Sequence, residues 1–237
     1  QRPTCRANPR AAHAARARRA ARQATSTTAG RARPTLGFVT ARRSDQGSGS
    51  GAGAVPASFA AALESIRSVV LRPEITLEET PAPQRLSPYA VAIQAEVVID
   101  DEEAASGRFV LLHDPAGQEP WAGQFRVVSF AKGTVELDIA QDPMLTEVGW
   151  AWLLEALDDR GARYRAESGS VTRTASEASG ALSDRAPSGD VEIRASWTPA
   201  TPDVGPHLNA WADVLAQVAG LPPLPPGVAS LPLPRRR

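Results

Sequence analysis

His113 followed directly by Asp114 is the place where this chain sets an imidazole beside a carboxylate. An imidazole held by an acid can move protons near neutral pH. Arg85 and Tyr89 lie in and just after the Pro-rich stretch that leads to the first clear strand. Arg85, Tyr89, His113 and Asp114 are therefore the candidate residues of a ligand or catalytic pocket at the strand ends. The bland reading of His113 is a histidine closing a strand, and it is the better one.

Other chemistry finds less support. Asp100, Asp101, Glu102 and Glu103 could hold Mg²⁺ on charge alone, but a solvated acidic turn explains them better. A zinc site needs three or four ligands, and the histidines His13, His113 and His207 with the one cysteine, Cys5, have no such spacing. The glycines of GSGSGAGA (47–54) precede no G-K-[ST] and read as linker. Ser168, Ser170, Ser176 and Ser179 sit in a polar ribbon with no evident base. No catalytic, metal or cofactor-binding residue is therefore assigned, and no cofactor is expected.

Five tryptophans offer a different kind of chemistry, since tryptophan is enriched at binding hot spots. Trp121 lies in a Pro/Gly loop and Trp150 falls off the apolar stripe of its helix. Trp152 and Trp211 fall on stripes, where core packing is the default. Trp121, Trp150, Trp211 and Leu215 are the candidate interaction anchors.

Charge divides the chain. Residues 1–43 hold eleven of the 26 basic residues and no acid; the remaining fifteen face all 26 acidic residues, a formal charge of −11 on 44–237. The basic head and linker, 1–55, have almost no large apolar side chains before Leu36 and are expected to be disordered. Three readings stay open for the head: an arm for nucleic acid or acidic surfaces, a transit peptide, and translation from upstream of the true start in a GC-rich frame. The Pro-rich end, 222–237, favours polyproline II and is also expected to be disordered. The domain proper is expected over 56–221. No apolar run approaches the roughly 18 residues of a membrane span. The acidic body, whose Phe109, Phe125 and Phe130 are not interleaved with basic residues, does not suggest nucleic-acid recognition.

The elements that must position these groups follow from periodicity. Phe59, Leu63, Ile66 and Val70 make one stripe of a helix over 57–70. An extended connector runs to Pro88. Alternation over 89–100 predicts a strand with one buried side. Residues 107–113 and 125–131 are apolar on both faces, as for central strands. Lys132 and Gly133 predict a tight turn into a further strand over 134–140. Asp142 and Pro143 then open a helix that Gly161 ends. An edge ribbon over 162–177, a strand over 190–197 and a helix over about 204–219 complete the body. The order α-β-β-β-β-α-β-β-α implies a single α+β domain. Its antiparallel sheet of five to six strands has helices on one face.

The segments EETPAPQRLSPYAVAIQAEV, GRFVLLHDPAGQEPWAGQFRVVSFAK, DPMLTEVGWAWLLEAL and EIRASWTP, in this order, resemble the actinobacterial DUF3000 family. The resemblance covers about residues 57–221. It implies a cytoplasmic protein of a high-GC Gram-positive bacterium and carries no catalytic residues with it. The element order is also similar to type III secretion chaperone-like and YbjN-like domains, which is a likeness of fold only. The resulting expectation is a non-enzymatic adaptor that binds a protein partner or itself. The alternatives are a small-molecule or enzymatic site near His113 and Arg85, and nucleic-acid association through the basic head.

Overall fold

The computed structural model describes residues 55–83 and 85–223, and helix α1 (Ala57–Arg67) is the first element of that part. Phe59, Leu63 and Ile66 are buried from its stripe, as their spacing predicts. Val70 is 75 % exposed, because the helix stops at Arg67 instead of running to 70. The expectations for the head and for the tail beyond Pro223 lie outside the described residues.

Six strands follow: β1 (Ile75–Thr80), β2 (Tyr89–Ile99), β3 (Glu102–Gln118), β4 (Gly123–Val135), β5 (Tyr164–Ser176) and β6 (Ser188–Pro199). All pairings are antiparallel, in the order β1-β2-β3-β4-β6-β5. A two-residue turn joins β2 to β3, with Asp100 at φ 53° and Asp101 at φ 68°. That geometry matches the right-handed twist of a hairpin, and aspartate tolerates it better than most side chains.

Two strands differ from the sequence reading. Ile75–Thr80 lies in the expected connector yet pairs with β2 from Ile75↔Val97 to Thr80↔Ala92. Conversely, Lys132 and Gly133 make no turn: both lie within β4, paired with Glu192 and Val191 of β6. The segment expected as a strand over 134–140 bends away as the short helix α2 (Leu137–Gln141), which buries Ala140. The two errors cancel in the count, so six strands and the α-β-β-β-β-α-β-β-α order stand, with α2 added.

Helices α3 (Leu145–Asp159) and α4 (Gly205–Val218) complete the domain. Asp142 does accept a capping bond, from the Met144 N–H at 2.8 Å, but the helix starts beyond Pro143. Gly161 and Gly220, both with positive φ, follow the ends of α3 and α4. The start of α4 is held from outside: Ser65 Oγ of α1 accepts the Gly205 N–H at 2.6 Å. Arg160, after α3, grips Asp213 of α4 through Nε and one terminal nitrogen at 2.6 and 2.8 Å.

Helix α4 is buried almost all round, with ten of its residues inside. Such a helix must be central, and α4 lies on β3 and β4 with α1 and α3 beside it. Gly107 lets it approach: a Cβ there would stand 2.5 Å from the Phe130 carbonyl oxygen and 2.8 Å from both Trp211 Cζ2 and Leu215 Cδ2. Trp211 Nε1 donates to that same carbonyl at 3.1 Å, so the close contact is also hydrogen-bonded. Trp197 Nε1 of β6 donates to Nδ1 of His207 at 3.0 Å inside the core. The strand residues facing this layer are those of the odd-numbered face, such as Val91, Leu111, Val127 and Trp197. Among the described residues, the α-helices α1 to α4 all belong to that one side of the sheet.

Two predictions follow from the helix layer. Gly107→Ala should lower stability by about 2–3 kcal/mol, because a backbone oxygen and two core side chains would have to retreat; urea unfolding at neutral pH checks this. His207 carries the second. Burial lowers its pKa from 6.5 to about 4, only partly opposed by Asp203. The unfolded chain therefore takes up a proton near pH 6.5 that the folded chain refuses until about 4. Stability present above pH 6.5 should fall by about 3 kcal/mol as pH drops to 4. His207→Leu should cost stability at every pH, since Trp197 loses its acceptor, and should flatten that acid limb. An unchanged limb would assign the loss to other groups.

Candidate functional site

His113 is fully buried, not pocket-facing. Its ring stacks on Phe125 at 4.3 Å and on Phe59 at 5.6 Å. Nδ1 donates to the Gln124 carbonyl at 3.2 Å, and Nε2 accepts from Ser58 Oγ at 3.2 Å. Both nitrogens of a neutral ring are thereby used, and burial holds its pKa below the ordinary value. Asp114 turns away from it and accepts from the Ala116 N–H at 3.0 Å and Gln118 Nε2 at 3.1 Å, an Asx turn. Tyr89 is half-buried against Phe59 and His113. Arg85 is exposed, at φ 77°, in the β1–β2 connector. The structure thus brings Tyr89 and His113 together as core and sets Asp114 and Arg85 apart from them.

The tryptophans divide as well. Trp211 and Leu215, expected as candidate anchors, are 1 % and 0 % exposed. Neither presents a surface, because both lie on the buried sides of the central helix α4. Trp150 is half-buried and lies over Gly169 of β5, where a Cβ would come 2.7 Å from its ring. Trp121 ends a short 3-10 helix (Glu119–Trp121) between β3 and β4 and is half-buried on the even-numbered face of the sheet.

Among the described residues that even-numbered face carries no α-helix. Over β2 and β3 it is covered: Ala82 of the connector and Trp121 pack on Ala90, Ala92, Val110 and Leu112. Arg108 donates to the Pro81 carbonyl at 2.7 Å and pins the connector there. Beyond this cover, towards β4, β6 and β5, the face is open. The register sets two adjacent rows across it: Val110, Val128, Ser196 and Ser168, then Arg108, Phe130, Arg194 and Ser170. Together they line an open concavity of about 390 Å³. Val128 is 41 % exposed at its centre. The Arg194 guanidinium lies over the Phe130 ring, 5.5 Å from its centroid, and is paired with Glu192 at 2.9 Å.

Arg126 sits behind the first row, only 9 % exposed. Its two terminal nitrogens donate to Ala166 O at 2.8 Å, Thr198 Oγ1 at 3.2 Å, Ser168 Oγ at 3.2 Å and Ser196 Oγ at 2.6 Å. Ala166 is available because β5 bulges between Arg165 and Ser168, with Ala166 at φ 53°. No carboxylate pairs with Arg126 among the described residues, and burial alone lowers its pKa. Four neutral acceptors therefore hold one uncompensated charge. Both serine oxygens accept from the guanidinium, so their O–H bonds point elsewhere. One can donate to the other, 3.2 Å away.

The sequence reading missed this face. It treated 107–113 and 125–131 as apolar on both sides, passing over the one arginine in each, Arg108 and Arg126. Strict period-two bookkeeping puts Arg108, Arg126 and Arg194 on the same side of their strands. Only the β4–β6 pairing, which crosses some fifty residues of chain, brings Arg194 into line with Phe130. Among the described residues no three His, Cys, Asp or Glu side chains gather as a metal site, and no helix is long and apolar enough to cross a membrane.

Arg126 invites a direct test. An unpaired buried charge costs more than the hydrogen bonds around it return. Arg126→Lys, which keeps the charge but reaches fewer of the four acceptors, should destabilise by about 2 kcal/mol. Arg126→Met, which removes the charge, should cost about 1 kcal/mol or less. Urea unfolding of both variants decides it; the opposite order would make the hydrogen bonds, not the charge, the governing factor.

No curated protein and no solved structure matches the chain, so the likeness to chaperone-like domains rests on element order alone. The family model of the protein of unknown function DUF3000 matches residues 55–229, slightly more than the segments that carry the resemblance, and the chain belongs to the DUF3000 family.

Proposed function

We propose that the domain is a cytoplasmic, non-enzymatic adaptor that holds a protein partner on the helix-free face of its sheet. The observation that carries this reading is the open concavity continuing to an unpaired edge. β5 is the terminal strand, and nothing among the described residues pairs with its outer side along Tyr164–Ser176. Its burial is slight throughout, Tyr164 and Val171 alone being half-covered. Such an edge is a template for strand addition. Two strands inward from it, on β4, Val128 and Phe130 give an apolar centre flanked by Arg108 and Arg194, the aromatic and arginine chemistry typical of interface hot spots.

Both described histidines support binding over catalysis. His113 and His207 lie inside the core, so neither is placed to serve the serines of the concavity as a general base. The adaptor reading also fits the division of labour between the two sheet faces, one sealed by helices and one left open.

The test uses the tagged full chain as bait in lysate of its source cells. Val128→Asp should reduce recovery of a specific partner about ten-fold, while Ile139→Ser, an equally exposed change on α2 at 45 % exposure, should leave it unchanged. Circular dichroism confirms that both variants fold. A partner retained equally by all three baits would place its docking site elsewhere and refute the reading.

A further inference from the structure

Trp150 stands where the sheet ends. Its ring covers Gly169 of β5, and the helix that carries it straddles the last two strands: a Cβ on Gly149 would meet Val171 of β5 at 3.1 Å and Ile193 of β6 at 3.7 Å. Leu154, one turn beyond Trp150 on the same flank of α3, is also half-buried. The opposite flank is taken by α4, which Arg160 fastens through Asp213. Below Trp150 runs the outer side of β5, which no strand pairs among the described residues. An apolar helix flank over an unpaired strand is a two-layer packing cut off in mid-course.

The edge also lacks the guards that keep such strands apart. Lysine, proline and bulges are the usual ones. The bulge of β5 ends before Ser168, and from Ser168 to Ser176 the strand has no lysine, no proline and no further bulge. Its one charged residue there, Arg173, donates Nη1 to the carbonyls of Ala140 and Gln141 at 2.9 and 3.0 Å. The other side chains are Ser, Thr, Gly, Ala and Val, small enough to face their own kind.

We propose that a second copy of this chain occupies the edge, β5 pairing antiparallel with β5 about a two-fold axis that passes Ser170 at right angles to the sheet. In that register Glu167 faces Arg173 of the second copy, Ser168 faces its Thr172 and Gly169 faces its Val171. Opposite charges then stand on facing positions twice. Val171 of the second copy comes beside the indole that covers Gly169, so each Trp150 gains an apolar neighbour. Other registers lose this match. Centred on Gly169 or Val171, Glu167 would face Val171 or Ala175; centred on Thr172 it would face Glu177; centred on Arg173, that residue would face itself. The helices fit as well. Each α3 lies between β5 and β6, so the two copies of α3 would run about two strand spacings apart, roughly 10 Å, the separation of packed helices. Trp150 and Leu154 of both copies fill the space between them.

The dimer leaves the docking face free. Because the axis is perpendicular to the sheet, both helix layers lie on one side and both concavities on the other. The added strand stands three strands from Val128 and Phe130 of β4 and covers neither. This goes beyond the adaptor reading and gives it two concavities on one continuous sheet.

Analytical ultracentrifugation of the full chain at micromolar concentration should show a dimer that dissociates on dilution. Ser170→Lys, at an exposed position where two ammonium groups would face each other, should weaken it about ten-fold. Cysteine substitution reads the register. In a chain carrying Cys5→Ser, Ser170→Cys should oxidise to a disulfide-linked dimer, since facing positions of antiparallel strands lie within disulfide reach. Thr172→Cys should not, because it faces Ser168 of the second copy. A monomer at every concentration, a dimer unmoved by Ser170→Lys, or a disulfide formed as readily through Thr172→Cys overturns the proposal. The adaptor reading fails separately. A monomer whose partner still depends on Val128 removes only the dimer, and a dimer whose partner is indifferent to Val128→Asp removes only the docking face.

Discussion

Helix α4 sits so deeply that most of the architecture follows from accommodating it. Ten of its fourteen residues are buried, and Gly107 permits backbone-level contact with β3 and β4. A helix left with only a narrow half-buried stripe, Pro206, Asn209, Asp213 and Gln217, needs a sheet below and other helices beside it. α1 and α3 take those places, and Ser65 and Arg160 fasten them to it by Gly205 and Asp213. The cost is that the helices are all committed to one face. The other face must then be covered by something else or be polar enough to stand in water. The connector after β1 and Trp121 cover one half of it. The half over β4, β6 and β5 carries hydroxyls and arginines around a small apolar centre.

Arg126 shows how that second half differs from an ordinary solvated surface. A surface arginine needs no acceptors and a core arginine needs a partner of opposite charge. Arg126 is buried like the second and unpaired like the first. Its four acceptors come from two strands, β5 and β6, and one of them is available only because β5 bulges at Ala166. Bulges of this kind re-aim side chains at strand edges. Here the bulge, the guanidinium and the two serines form one unit. Loss of any member would free polar groups that the others now satisfy.

The helix layer was legible in the sequence because its signal is local and periodic. Phe59, Leu63 and Ile66, or Leu208, Trp211, Leu215 and Val218, declare a buried stripe without knowledge of the fold. The β2 alternation and the Gly161 and Gly220 stops were equally local. What failed was short or depended on distant partners. Ile75–Thr80 is six residues between proline-rich flanks, and only its pairing with β2 makes it a strand. Val135, Leu137 and Ile139 alternate, yet three apolar residues are too few to separate a strand from a helical turn, and Gly189 lying against Ala140 favours the helix. The candidate site was illegible for the same reason. His113 and Asp114 attract notice as neighbours in sequence, but adjacent residues of a strand point to opposite faces. Arg108, Phe130 and Arg194 meet only after three strands have paired.

The charge split between body and concavity is local. Residues 44–237 carry a formal charge of −11, which the eleven arginines of 1–43 offset, so that the whole chain is neutral. Within the acidic part the lining of the concavity stands out, since it holds Arg108 and Arg194 and no carboxylate side chain. Charges farther off than the screening length count for little, so a group arriving at this face meets chiefly its lining: arginine and serine donors around the apolar Val128 and Phe130. Glu192, paired with Arg194 from beside the concavity, tempers the local positive charge.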